Sequence, residues 1–283
     1  MKILFLSDYG LKHTIGGAQR SNRIIIDKGL SRGHEIVELH YDDDLTVLQN
    51  QSQHKFDWII SSNLEAFNQR VVDLVEYLDS IPNHIRLEHD MNRYLSDQRR
   101  YLLWRNCKAS FFLTEFHYEC FRRDYGDYFK NVYIVPDPID RSFKDLNLGR
   151  ADMILYAGFM HPFKGTLDFI QFVKDNPDKN FIVAGWGPPE IEAQMRLPNI
   201  GFLGKVDHNS MPELYSCVSS YYHMPRMYEP FCRSAGEALV CGVPNMLVND
   251  MIGAKRMWDK DPKGFSEKCY NASVTFWECV ECL

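Results

Sequence analysis

The residues best suited to chemistry fall in one short stretch, YEPFCRSAGEALVCGVP, at positions 228–244. Glu229 stands in a loop after an apolar run with Pro230 behind it, and Glu237 follows in the first turns of the next helix. Two carboxylates so placed face one ligand space, and each can accept hydrogen bonds from sugar hydroxyls, one set on a hexose and one on a ribose. Upstream, YAGFMHPFKG (156–165) puts Lys164 after a strand and a glycine turn, at a helix start. An ammonium there can meet a phosphate charge while helix N–H groups hold the oxygens. Gly16 and Gly17 separate the first apolar run from the helix after it, and let backbone approach a ligand closely. They do not make the GxGxxG dinucleotide fingerprint, and no acid ends the second strand in the expected setting, so a dehydrogenase loses support. Taken singly, each feature has a plain structural reading: a capping glutamate, a surface lysine, turn glycines. The order of the whole 228–244 stretch is what those readings fail to explain.

The elements that must position these residues alternate regularly. Short apolar runs at 2–7, 34–40, 57–61, 84–89, 109–114 and 132–136 read as strands, with helices over Gly17–Arg32 and residues 65–78. The polar segment DPIDRSFKDLNLGR after Pro136 reads as an interdomain linker. The alternation then restarts, with strands at 153–158, 180–185, 200–204, 219–224 and 245–248 and helices near 164–175, 188–196, 210–217 and 233–241. Two runs of βαβ units predict two parallel-sheet domains, 1–146 and 147–264, with a terminal helix over 265–283 expected to pack back on the first. Ligands in such sheets sit at the carboxyl ends of the strands, and a cleft between two domains suits a two-substrate reaction.

Composition narrows the partners. The 283 residues are 45% hydrophobic and 25% charged, ordinary for a globular chain, and the net charge of −6 with scattered basic residues argues against nucleic acid. No run approaches the roughly 18 apolar residues a membrane span needs. Asp8 interrupts the N-terminal apolar stretch before a signal-peptide core could form. Eight cysteines without a disulfide-scaffold spacing fit a reduced cytoplasmic setting, and the CxxC of Cys279 and Cys282 reads as packed free thiols rather than a zinc site. The acidic run Asp42–Asp44 reads as a solvated loop.

The motif Glu229–Pro244, E-P-F-x-R-S-x-x-E-A-L-x-C-G-V-P, resembles the most diagnostic motif of the GT4-type family of retaining GT-B glycosyltransferases. Further matches follow in the family's order: GGAQR (16–20), VPDPID (135–140), YAGFMHPFKG, VAGWGPPE (183–190), IGFLGKV (200–206) and MPELYSCVSSYYHM (211–224). The likeness spans nearly the whole chain and is strongest in its second half. It implies a GT-B fold, two Rossmann-like α/β domains facing a cleft, and transfer of a sugar from a nucleotide-diphosphate donor with retention and without a metal or other cofactor. By the same resemblance Glu229 contacts the transferred sugar and Glu237 the ribose hydroxyls. Lys164 neutralises the diphosphate beside the backbone of Phe231 and Cys232, and Arg233 belongs to the same donor site. Gly16 and Gly17 border the phosphate and acceptor, and His89, in LEHD, matches the family's cleft-facing histidine. The acceptor is left open among glycan, lipid-linked and small-molecule classes.

The departures from the family pattern are informative. Phe159 stands where the family commonly has a second phosphate-binding arginine, Phe163 where it has a glutamate, Cys232 where it has a glycine and Asp137-Pro138 where it has asparagine-glycine. Arg226 and Arg233 are the candidates to replace the missing cation. The rival reading is a non-catalytic nucleotide-sugar-binding protein descended from such a transferase.

Overall fold

Parallel strands are covered on both faces and therefore read as continuous apolar runs. Ile3, Leu4, Phe5 and Leu6 show the rule at its limit, since none of the four is exposed at all. The computed structural model describes residues 1–13, 16–44, 55–70, 73–91 and 100–283. They form two compact units, Met1–Pro138 together with Asn271–Leu283, and Ile139–Tyr270. The division falls at Pro138, ahead of the 146/147 boundary read from the linker, because Ile139 donates its backbone N–H to Cys269 and Phe143 is buried within the second unit.

The first unit holds six parallel strands: β1 (Lys2–Leu6), β2 (Glu35–Leu39), β3 (Trp58–Ser61), β4 (His84–Leu87), β5 (Ala109–Phe112) and β6 (Val132–Ile134). Their order is β2-β1-β3-β4-β5-β6. The helix expected over 65–78 is two helices, Glu65–Arg70 and Leu74–Ser80, and residues 71–72 lie outside the described part of the chain. Helix Gly17–Ser31 lays Ile25 and Ile26 on the sheet, in a core with Ile60, Ile85, Phe111, Phe276 and Trp277. The last two belong to the terminal helix Phe265–Glu281. Trp277 is fully buried and donates its indole N–H to the Ile25 carbonyl at 2.7 Å. A methyl group on Gly29 would lie 2.4 Å from that indole, so the helix carries glycine where the ring crosses it.

The second unit holds five parallel strands: β7 (Ala151–Phe159), β8 (Asn180–Trp186), β9 (Ile200–Gly204), β10 (Val218–His223) and β11 (Asn245–Val248), in the order β11-β10-β7-β8-β9. Helix Thr166–Asp175 packs Phe169, Ile170 and Val173 against Tyr156, Phe181, Val183 and Tyr222. From β7 the chain first builds outward through β8 and β9, then returns to place β10 on the other side of β7. The connections therefore diverge between β7 and β10, and a doubly wound sheet binds ligands just beyond the carboxyl ends of the strands at such a point. Phe159 and His223 end those two strands. Among the described residues no helix is long and apolar enough to cross a membrane.

Candidate active site

Beyond β7 the chain makes a short 3-10 turn, Pro162–Lys164, and enters the helix Thr166–Asp175 through Gly165. Gly165 has φ of 74°, and an added Cβ would stand 1.8 Å from the Met224 carbonyl oxygen. Only glycine allows that approach, and it fixes the Lys164 turn against the segment that leaves β10. Beyond β10, Glu229 is anchored by its backbone, donating to Met251 at 2.8 Å and accepting from Gly253 at 3.0 Å. The two loops meet in one ion pair: Lys164 Nζ donates to Glu229 Oε1 at 2.5 Å.

His223 approaches the same carboxylate oxygen to 3.5 Å. Burial alone would raise the Glu229 carboxyl. Burial is the largest single influence, but Lys164 and His223 together outweigh it, and the group is held down at about 2. Burial works the other way on His223, but the facing Cys232 and Glu229 outweigh it and push the imidazole up to about 9. His223 does not figure among the residues read from the sequence. The sequence signal was only its place as the last residue of an expected strand; the switch point beside it emerges from the strand order.

Cys232 is the N-cap of the helix Arg233–Val240 and has φ of 68°. This is the left-handed region, which explains why the resembling family carries glycine there. Phe231 is buried and stacks on Phe265 at 6.2 Å between ring centres. Glu237 is buried deeper than its expected role suggested, with 4% of its surface exposed. It accepts from Arg233 Nε at 3.0 Å and from the Tyr215 hydroxyl at 3.4 Å, with His208 at 3.7 Å.

The two arginines considered as replacements for the missing cation are both engaged. Arg226 forms a bidentate pair with Asp168 at 2.8 and 2.7 Å, and Arg233 is tied to Glu237. Phe159, at the position of the absent arginine, is 43% exposed and packs beside His161 and Trp186.

The remaining candidates belong to the first unit. Gly16 is the extended N-cap of helix Gly17–Ser31, with no capping side chain. His89 lies just beyond β4 and is nearly buried, with Nε2 2.8 Å from Asn22 Oδ1 and Nδ1 3.4 Å from Asp137 Oδ1. Sequence reading missed the buried network beneath it, where Arg86 donates to Glu88 at 2.6 and 3.1 Å and Trp104 adds a bond to Glu88 at 3.0 Å.

Residues 138–275 match the family described as glycosyl transferases group 1. Those residues thus form a group 1 glycosyltransferase domain. The glycosyltransferase is also similar throughout its length to solved GT-B structures. One is the Anabaena protein HepE in complex with UDP and glucose, at 16% identity over 97% of this chain and 94% of that one, with a TM-score of 0.65. Another is sucrose-phosphate synthase from Thermosynechococcus elongatus, at 13% identity over 100% and 94%, with a TM-score of 0.66. A third is an alpha-glucosyltransferase in complex with UDP-glucose and DNA containing an abasic site, at 14% identity over 96% and 95%, with a TM-score of 0.60. At these identities the likeness shows the fold, which is GT-B. No curated protein sequence matches the glycosyltransferase.

Proposed function

We propose that this glycosyltransferase moves a sugar from a nucleoside-diphosphate donor to an acceptor hydroxyl, with retention at the anomeric carbon and no metal ion in the transfer step. The observation that carries the reading is the meeting of Lys164 and Glu229 at the β7/β10 switch point, with Glu237 one helix away. In this reading the donor diphosphate takes Lys164 from Glu229, and the first turn of the helix Arg233–Val240, from Cys232 onward, supplies N–H groups to the same oxygens. Glu229, freed of its ammonium partner, accepts from the transferred sugar, and Glu237 accepts from the ribose. His89 and the Gly16–Gly17 turn serve the acceptor side. The complexes of HepE with UDP and glucose and of the alpha-glucosyltransferase with UDP-glucose make UDP-sugars the first donors to try. The acceptor belongs to the glycan, lipid-linked or small-molecule class, since the net charge of −6 disfavours nucleic acid. Eight free thiols suit a cytoplasmic setting.

A second reading, a nucleotide-sugar-binding protein without turnover, is favoured by one observation: Phe159 replaces a phosphate cation while Arg226 and Arg233 are both already paired. A thermal-shift panel of UDP, GDP, ADP, CMP and TDP with EDTA present, followed by donor-sugar turnover and NMR of the product anomer, separates the two. A shift with turnover and a retained anomer supports the transferase. A shift without turnover on any acceptor class supports the binding protein, and no shift with any nucleotide removes both.

A further inference from the structure

Around Glu229 lies a convergence of side chains that sugar transfer does not account for. His223, Glu229 and Cys232 each offer a ligand atom, and these atoms lie within 4.8 Å of one another. Among the described residues no other His, Cys, Asp and Glu side chains converge in this way. His223 is 4% exposed, and neither of its ring nitrogens has a hydrogen-bond partner; its 3.5 Å approach to Glu229 is only an ion-pair contact. A buried imidazole with both nitrogens unsatisfied is costly and calls for a partner.

We infer that His223, Glu229 and Cys232 form a binding site for a thiophilic divalent cation of the Zn²⁺ type, and that the ion and the Lys164 ammonium compete for Glu229. The donor set is one imidazole, one carboxylate and one thiolate, each a ligand type that zinc takes, and binding the ion releases the protons of His223 and Cys232 to solvent. Two nitrogen or oxygen ligands on one tetrahedral zinc stand about 3.4 Å apart, given bond lengths near 2.1 Å. The 3.5 Å between His223 Nε2 and Glu229 Oε1 already meets that spacing. Cys232 closes the set by turning its side chain, which rests 3.7 Å from the Ser234 hydroxyl, a weak contact to give up. Lys164 can leave, because its ammonium sits on a flexible stem with 41% of the side chain exposed. The sulfur ligand makes the site selective: magnesium and calcium prefer oxygen, so the site discriminates against them.

The test uses the full chain, stripped with a chelator, in a background where the outlying thiols Cys279 and Cys282 are replaced by serine. Zn²⁺ alone is titrated against a competing chromophoric chelator, and Co²⁺ is titrated for its thiolate-to-cobalt charge-transfer band. One Zn²⁺ per chain is expected, with affinity at least tenfold above that for Mg²⁺. Cys232→Gly should abolish the charge-transfer band and weaken zinc at least tenfold. This variant suits the left-handed backbone at that position, so its fold is expected to survive. His223→Gln should weaken zinc comparably while keeping the thiol. Absence of zinc binding by the parent protein, or undiminished binding in both folded variants, would overturn the proposal.

Discussion

Lys164 Nζ lies 2.5 Å from Glu229 Oε1, so the two charged groups that the proposed reading assigns to the donor neutralise each other. In the proposed reading a bound diphosphate replaces that carboxylate as the partner of Lys164, and only then is Glu229 available to a sugar hydroxyl. Substrate binding and the arming of Glu229 are thereby one event. Glu229→Gln keeps the shape but weakens the acceptor that emerges at that moment. Its kcat/KM is expected to fall about 100-fold, the scale for loss of one positioned electrostatic group, with donor affinity changed far less. Steady-state kinetics beside donor titration calorimetry checks this, and equal losses in both would reduce Glu229 to a positioning role.

Phe159→Arg should supply the cation that the resembling family carries at this place. The ring is 43% exposed at the end of β7, so its replacement removes little buried surface. Donor affinity or turnover is expected to rise about tenfold, a conservative share of what a phosphate-directed charge contributes. A decrease in both would mean that the aromatic surface shared with His161 and Trp186 is itself used by the substrate.

Gly165→Ala brings a methyl group onto the Met224 carbonyl oxygen and forces a non-glycine residue to φ of 74°. Gly204→Ala is the matched control: its φ is 67°, but a Cβ there meets nothing within 4 Å. The control should lose only the left-handed strain of about 1–2 kcal/mol. Gly165→Ala should lose clearly more, and with it the placement of Lys164. Thermal melts of both variants decide it, and equal losses would show that the loop yields without cost.

Acidification should weaken the first unit. Burial, then the charge of Arg86, holds the His84 imidazole down at about 3, and burial holds His117 at about 4. Both are near 6.5 when unfolded, so below that pH the unfolded chain takes up protons that the folded chain refuses, and stability falls as pH drops toward 4. Asp8 opposes this: burial raises it to about 7, so its stabilising contribution is lost as pH rises from about 4 to 7. Two imidazoles against one carboxyl leave a net loss on acidification. His84→Gln should show a smaller drop in urea midpoint between about pH 7 and about pH 5 than the parent. An identical drop would exclude His84 as a contributor.

The strands of the described residues were legible because most are apolar runs between turn residues, and the two βαβ series follow from their spacing. The two loops that meet at the Lys164–Glu229 pair were legible through the order of Lys164, Glu229 and Glu237. His223 was not, because its importance arises from strand order: β10 returns to the side of β7, and sequence spacing carries no sign of that return. The burial of Glu237 against Tyr215 was hidden as well, since the tyrosine comes from a neighbouring helix. The engagement of Arg226 by Asp168 joins residues far apart in sequence, and composition gives no hint of it. The left-handed Cys232 shows the converse, a position where the family pattern announced a backbone shape that the residue itself conceals.

Trp277 has one more consequence, which concerns the order of synthesis. The first unit needs Phe276 and Trp277 to fill its core, yet these residues leave the ribosome after all of Ile139–Tyr270. The second unit is continuous and can fold as it emerges, whereas the unit that is begun first must wait for its own segment Asn271–Leu283. A fragment ending at Pro138 would therefore expose the floor left by the missing indole, and the segment 271–283 added back as a separate peptide should restore its cooperative melting.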